Sequence, residues 1–220
     1  MLRRETEDER EIQGKAMRPM RWMWQVAAVG LISVMAAACT ATRPTKYYAL
    51  DTPATPTSTQ APLPVGLVVG HVTASQLYRG SRLVYGWGPV ELGTYEYHRW
   101  AEPPVDFLQT MLVNDLRASG RYRSVTPVGS FARGDYIVLG HLDALDEIDK
   151  PALAARFTFQ LSLLERATGS IVWSSSYNHD EPVQGKQVSD VVAALGRNVE
   201  AGLGQLTAGL YQYLANRPPQ

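Results

Sequence analysis

The sequence predicts an α+β fold, a mostly antiparallel sheet with two helices packed on one face, and three observations lead to it. Ala155, Phe157, Phe159, Leu161 and Leu163 alternate with Arg156, Thr158, Gln160 and Ser162. After an Ala167-Thr168-Gly169 turn, Ile171, Trp173, Ser175 and Tyr177 continue the same period, so the pair reads as a hairpin with one buried face. In two other segments, Val105 to Leu116 and Val188 to Tyr213, apolar residues recur at steps of three and four, the spacing of a helix with one apolar stripe. The remaining strand-like runs are mostly neighbours in sequence, which suits a layered sheet covered by both helices.

Taken along the chain, Lys46-Tyr47-Tyr48-Ala49-Leu50 is an aromatic strand, and the Thr- and Pro-rich stretch from Asp51 to Pro64 is a loop because proline supplies no donor for pairing. Val65 to Thr73 is a β-branched run suited to a buried strand. Ser81 to Tyr85 and Gly93 to Tyr97 flank Gly86-Trp87-Gly88-Pro89, a hairpin-type connection. Pro103-Pro104 opens the first helix, where proline is tolerated in the first turn, and Ser119-Gly120 ends it. Tyr122 to Thr126 and Asp135 to Leu145 are further strands. The last helix, Ser189 to Leu214, carries Gly196, Gly202, Gly204 and Gly209, each costing about 1 kcal/mol relative to alanine. Close approach to the sheet is the explanation preferred for them, and a hinge is the alternative.

An uncharged apolar stretch from Trp22 to Ala38 follows the basic segment Met17-Arg18-Pro19-Met20-Arg21 and ends at Cys39, the one cysteine of the chain. These are the parts of a secretory signal. Ala36-Ala37-Ala38-Cys39 resembles the bacterial lipobox, although Ala36 stands where leucine is usual, and the resemblance implies an N-acyl diacylglycerol group on Cys39. The division is then 1–38 signal peptide, 39–45 tether and 46–220 domain. An uncleaved membrane helix is the alternative. Glu5, Glu7, Asp8, Glu9 and Glu11 are unusual in such a leader, and a start at Met17 would remove them.

Removing 38 of the 220 residues leaves 182, enough for one domain with a core. Of the 21 basic and 21 acidic residues, six and five lie in the leader, so the remainder holds 15 and 16 and is nearly neutral. That balance disfavours nucleic acid. With Cys39 acylated, no thiol remains for a disulfide, a metal or a nucleophile.

No catalytic constellation emerges. His71, His98, His141 and His179 are scattered without metal-ligand spacing, and no Gly-x-Ser-x-Gly elbow or phosphate loop occurs. Asp143, Asp146, Glu147 and Asp149 read as a solvated sheet edge, and Arg133-Gly134-Asp135 as a chance triplet. The chain is expected not to be an enzyme and to bind no cofactor. Tyr78, Tyr85, Trp87, Tyr95, Tyr97 and Trp100 crowd the second hairpin, where aromatic side chains serve either as core or as contact area for a partner.

Together these landmarks resemble the ABC-type transport auxiliary lipoprotein family, which includes the Pqi lipoprotein subunit of intermembrane lipid transport. The residues that carry the resemblance are Cys39, Tyr47-Tyr48-Ala49-Leu50, Leu83-Val84-Tyr85, Arg99-Trp100-Ala101-Glu102-Pro103, the Leu163 to Trp173 hairpin and the terminal amphipathic helix. The resemblance implies a fold like the N-terminal domain of TolB. It also implies a lipid-anchored protein on the periplasmic face of the outer membrane, docking or capping a conduit with an MCE-domain protein, an inner-membrane permease and an ATPase. Thr40 fits that location, because the inner-membrane retention signal commonly has aspartate after the lipidated cysteine. Tyr47, Tyr48, Tyr85, Trp87, Arg99 and Trp100 are the candidate partner contacts, and self-association stays open. A lipoprotein of another envelope machine, for secretion or lipopolysaccharide assembly, is the alternative.

Overall fold

Alternation along the predicted hairpin sends Phe157, Phe159, Leu161 and Leu163 to one side, where all four are fully buried. A helix must cover that side, since burying each such side chain contributes about 1.5–3 kcal/mol. The computed structural model describes residues 43–50, 61–87, 90–129 and 133–217. The leader, Cys39, most of the Thr- and Pro-rich loop and Gly88-Pro89 lie outside the described residues. Thr45–Gln220 folds as one unit.

In chain order its elements are β1 (Lys46–Tyr48), β2 (Leu63–Val69), β3 (Thr73–Ala74), α1 (Gln76–Arg79), β4 (Arg82–Gly86) and β5 (Leu92–Trp100). There follow α2 (Pro104–Ala118), β6 (Tyr122–Pro127), β7 (Tyr136–Ile148), β8 (Ala154–Glu165), β9 (Ser170–Pro182) and α3 (Val188–Ala215). The expected strands and both long helices are present. The expected Val65 to Thr73 strand is interrupted at 70–72 and resumes as β3, and α1 is an addition too short to show a helical period.

β7 is the spine of the sheet. One edge pairs antiparallel with β8 along its length, and β8 pairs antiparallel with β9. The other edge is divided among three parallel partners: β2 at Tyr136 to Val138, β3 at His141 and Leu142, and β4 at Asp146 to Ile148. Beyond β2 lies β6, and beyond β4 lie β5 and then β1. The long ladders are therefore antiparallel, as expected, while short parallel joins connect the two arms.

α3 covers the β8–β9 ladder with Leu195, Val199, Leu203, Leu206 and Leu210, all buried. One polar residue interrupts this stripe. Asn198, 1% exposed, donates from Nδ2 to the carbonyls of Ala155 and His179, each at 2.8 Å, and accepts from the Tyr177 hydroxyl at 2.9 Å. α2 buries Leu108, Met111, Leu112 and Leu116. Thr207 on α3 donates to the Asp115 carboxylate on α2 at 3.1 Å, joining the two helices.

The acidic group on β7 is not a solvated edge. β7 is paired on both sides, and Asp146 is 2% exposed, accepting from the Tyr78 hydroxyl of α1 at 2.9 Å, while its Oδ1 has no hydrogen-bond partner among the described residues. Of the four, only Asp143 is exposed. The Arg-Gly-Asp triplet is likewise structural. Asp135 accepts from the Gly66 amide at 2.7 Å and from Arg123 at 2.8 Å, fastening β2 and β6 to the start of β7.

The helix glycines separate on this geometry. A Cβ on Gly202 would lie 2.7 Å from the Tyr177 ring and 2.9 Å from Phe157, whereas a Cβ on Gly204 would meet nothing within 4 Å. Gly202→Ala should therefore destabilise the fold by about 1–3 kcal/mol through overpacking. Gly204→Ala should stabilise it by about 0.5–1 kcal/mol through helix propensity. Denaturant titration of the two variants checks this, and equal effects would refute the close-approach account.

Burial raises the carboxyl of Asp146 above its ordinary range, against the lowering effect of Tyr78 and Arg156. The folded state thus holds this proton more tightly than the unfolded chain, and its contribution weakens as pH rises through the raised value. The melting-temperature difference, Asp146→Asn minus wild type, should grow between pH 4 and 7. A difference flat with pH would reject the assignment.

Candidate partner-contact surface

The arm formed by β4, β5 and β1 carries the candidate contact residues, and a bulge shapes it. Val84 pairs with Thr94, yet Arg82 pairs with Arg99, so β5 holds three more residues than β4 over that interval. In a regular strand, residues three apart point to opposite faces. The bulge instead brings Tyr95 and His98 together, their rings 5.3 Å apart edge to face.

From there an aromatic row extends both ways. Tyr85 on β4 lies 5.0 Å from Tyr95, and its ring crosses Gly93 so closely that a Cβ there would sit 2.6 Å from Tyr85 Cζ. His98 stacks on Tyr48 of β1 at 5.7 Å, and the Tyr48 hydroxyl and His98 Nδ1 are hydrogen-bonded at 2.8 Å. Burial and then Lys46 lower the His98 pKa, which favours the uncharged imidazole. Past Tyr85, Trp87 stands 56% exposed, with Lys150 Nζ 5.2 Å from its ring centroid.

Carboxylates line the same groove. Tyr95 donates to Glu147 at 2.7 Å, and burial followed by this bond raises the Tyr95 hydroxyl pKa, while burial raises that of Glu147. Tyr85, Trp87, Thr94, Tyr95, Glu96, Glu147 and Asp149 enclose an open groove of about 640 Å³.

Of the expected contact residues, Tyr47 is 66% exposed, Trp87 is exposed, and Tyr48, Tyr85 and Arg99 are half-buried. Trp100 departs from expectation: it is 1% exposed and lies against Phe107 of α2 at 5.4 Å, so it belongs to the core. Its position at the end of β5, just before the helix entry, turns it beneath α2. Cys39 lies outside the described residues. Glu147, His98 and Lys150 join the surface without being expected there. The tyrosine-rich hairpin pointed toward this region, but no local signal in the sequence places Lys150 beside Trp87.

Among the described residues no group of three His, Cys, Asp or Glu is placed to hold a metal. Nor is any described helix long and apolar enough to cross a membrane. A second open concavity, of about 610 Å³, lies between Trp173 and Tyr213 beside Arg217, whose guanidinium pairs with buried Glu165 at 2.8 Å.

Two solved structures share the fold. Protein XCC0632 from Xanthomonas campestris has a TM-score of 0.67 at 21% identity, covering 77% of this chain and 95% of that one. An uncharacterised protein has a TM-score of 0.57 at 16% identity, covering 78% and 99%. No curated protein is similar enough in sequence to match. The family model described as the ABC-type transport auxiliary lipoprotein component matches residues 48–206, from β1 into α3. That family is one of auxiliary transport components and not one of enzymes. The chain belongs to the ABC-type transport auxiliary lipoprotein component family.

Proposed function

We propose that this protein is a lipid-anchored docking component of an MCE/ABC-type intermembrane lipid transport system, held at the periplasmic face of the outer membrane by an N-acyl diacylglycerol group on Cys39. The observation that carries the reading is the family match, which begins at Tyr48, nine residues after a cysteine in lipobox context. The lipid provides attachment. The domain provides contact, through the exposed aromatic arm, with an MCE-domain protein that works with an inner-membrane permease and an ATPase. No covalent chemistry is assigned to the chain, and its role is to dock or cap the conduit.

Physical reasoning supports this division of labour. Each buried acyl CH₂ contributes about 0.8 kcal/mol, and more than one chain gives stable anchoring. A tether of seven residues, 39–45, reaches about 25 Å at full extension and keeps the domain near the bilayer. Partners fixed in the same envelope then meet it at high effective concentration, so a modest surface suffices.

Cys39→Ser should leave the domain folded and move the protein from the membrane fraction to the soluble fraction. Retention in membranes would instead favour an uncleaved helix. Mild-detergent purification of the wild-type protein should recover an MCE-domain protein with its permease and ATPase. Consistent recovery of secretion or lipopolysaccharide-assembly proteins in their place would assign the chain to that machine.

A further inference from the structure

The groove on the β4–β5 arm combines aromatic surface with acidic residues, and that combination restricts what can enter. We propose that it receives a lysine or arginine side chain from a basic segment of the partner protein. Its lining includes Trp87, whose ring is exposed, the tilted pair Tyr85 and Tyr95, and the acidic residues Glu96, Glu147 and Asp149. Its volume of about 640 Å³ falls within the range of ligand-sized clefts, roughly 300–1,000 Å³.

Two features select a cation. Aromatic faces attract cations through their quadrupole, and Trp87 already holds one, Lys150 Nζ at 5.2 Å. Lys150 is itself exposed, so an incoming cation displaces it into water readily. The carboxylates supply the complementary charge. Arginine suits the site better than lysine, because its planar guanidinium stacks on the ring and engages a carboxylate with two parallel donors.

The same lining disfavours a phospholipid. A choline headgroup could enter the aromatic wall, but its phosphate would meet the acidic residues Glu96 and Asp149.

The inference rests on reading this arm as the docking surface, yet its test contains no transport partner, so its failure stands apart from failure to recover an MCE protein. Purified protein, as matured in cells and held in a maltoside detergent, is labelled with 5-fluorotryptophan. The Trp87 resonance is the one lost in Trp87→Phe. The probe is acetyl-Gly-Arg-Gly-Arg-Gly-amide, compared with the same peptide carrying citrulline in place of arginine and with phosphocholine.

The Trp87 signal should shift saturably with the arginine peptide and stay in place with the citrulline peptide. Affinity should fall by roughly tenfold or more in the Glu96→Gln, Asp149→Asn double variant, whose changes are at solvent-reaching positions. No response to the arginine peptide, an equal response to citrulline, or unchanged affinity in the double variant overturns the proposal. A larger shift with phosphocholine at equal concentration also overturns it, and assigns a lipid headgroup.

Discussion

The divided edge of β7 is the constraint on which the rest of the architecture depends. A central strand has to pair its backbone groups on both sides, because a buried amide or carbonyl left without a partner costs free energy comparable to a lost hydrogen bond. β8 satisfies one side of β7 alone. On the other side no single strand is long enough, and β2, β3 and β4 each take a few residues. Their displacement along β7 sends the sheet in two directions. The β2–β6 arm lies against α2, while the β4–β5–β1 arm extends from the opposite end of the spine and carries the aromatic row.

Side-chain hydrogen bonds secure the joints this arrangement creates. Asn198 links α3 to backbone carbonyls of β8 and β9, Tyr78 links α1 to Asp146 on β7, and Asp135 fastens β2 and β6 to the start of the spine. Asn198 and Asp146 are buried, and removing one partner of such a pair leaves the other desolvated, a cost of about 1–3 kcal/mol. Apolar packing alone would tolerate small sliding of α3 along the ladder. Asn198 does not, because its three bonds fix both its depth and its position along the strands.

How much of this was legible in the sequence follows from the range of each interaction. β8, α2 and α3 were readable because Phe157 to Leu163 and Leu195 to Leu210 repeat with their element's own period, and a period survives without knowledge of neighbours. Which strand lies beside which is not local. The parallel joins of β7 and the bulge in β5 depend on residues far apart in sequence, so the pattern could not show them. Asp146 and Trp100 illustrate the limit for single residues. Asp146 stands among Asp143, Glu147 and Asp149 and reads as solvated, whereas Tyr78 of α1 lies over it; Trp100 stands in a tyrosine-rich hairpin and reads as either core or contact, and its packing against Phe107 of α2 makes it core.

The contact surface itself is a consequence of the fork. The β4–β5–β1 arm meets the spine through three residues of β4, and along it the rings of Tyr48, His98, Tyr95 and Tyr85 cover one another. Stacked and edge-to-face rings hold each other with little loss of side-chain freedom still to come, which lowers the ordering cost when a partner binds. The Tyr48–His98 and Glu147–Tyr95 hydrogen bonds add rigidity to that row. Where the row ends, Trp87 stands beside the acidic residues Glu96 and Asp149. On the proposed reading, in which a lipid tether holds the domain beside its partners, such an edge would give selective contact without requiring strong contact, because proximity would supply the remaining affinity.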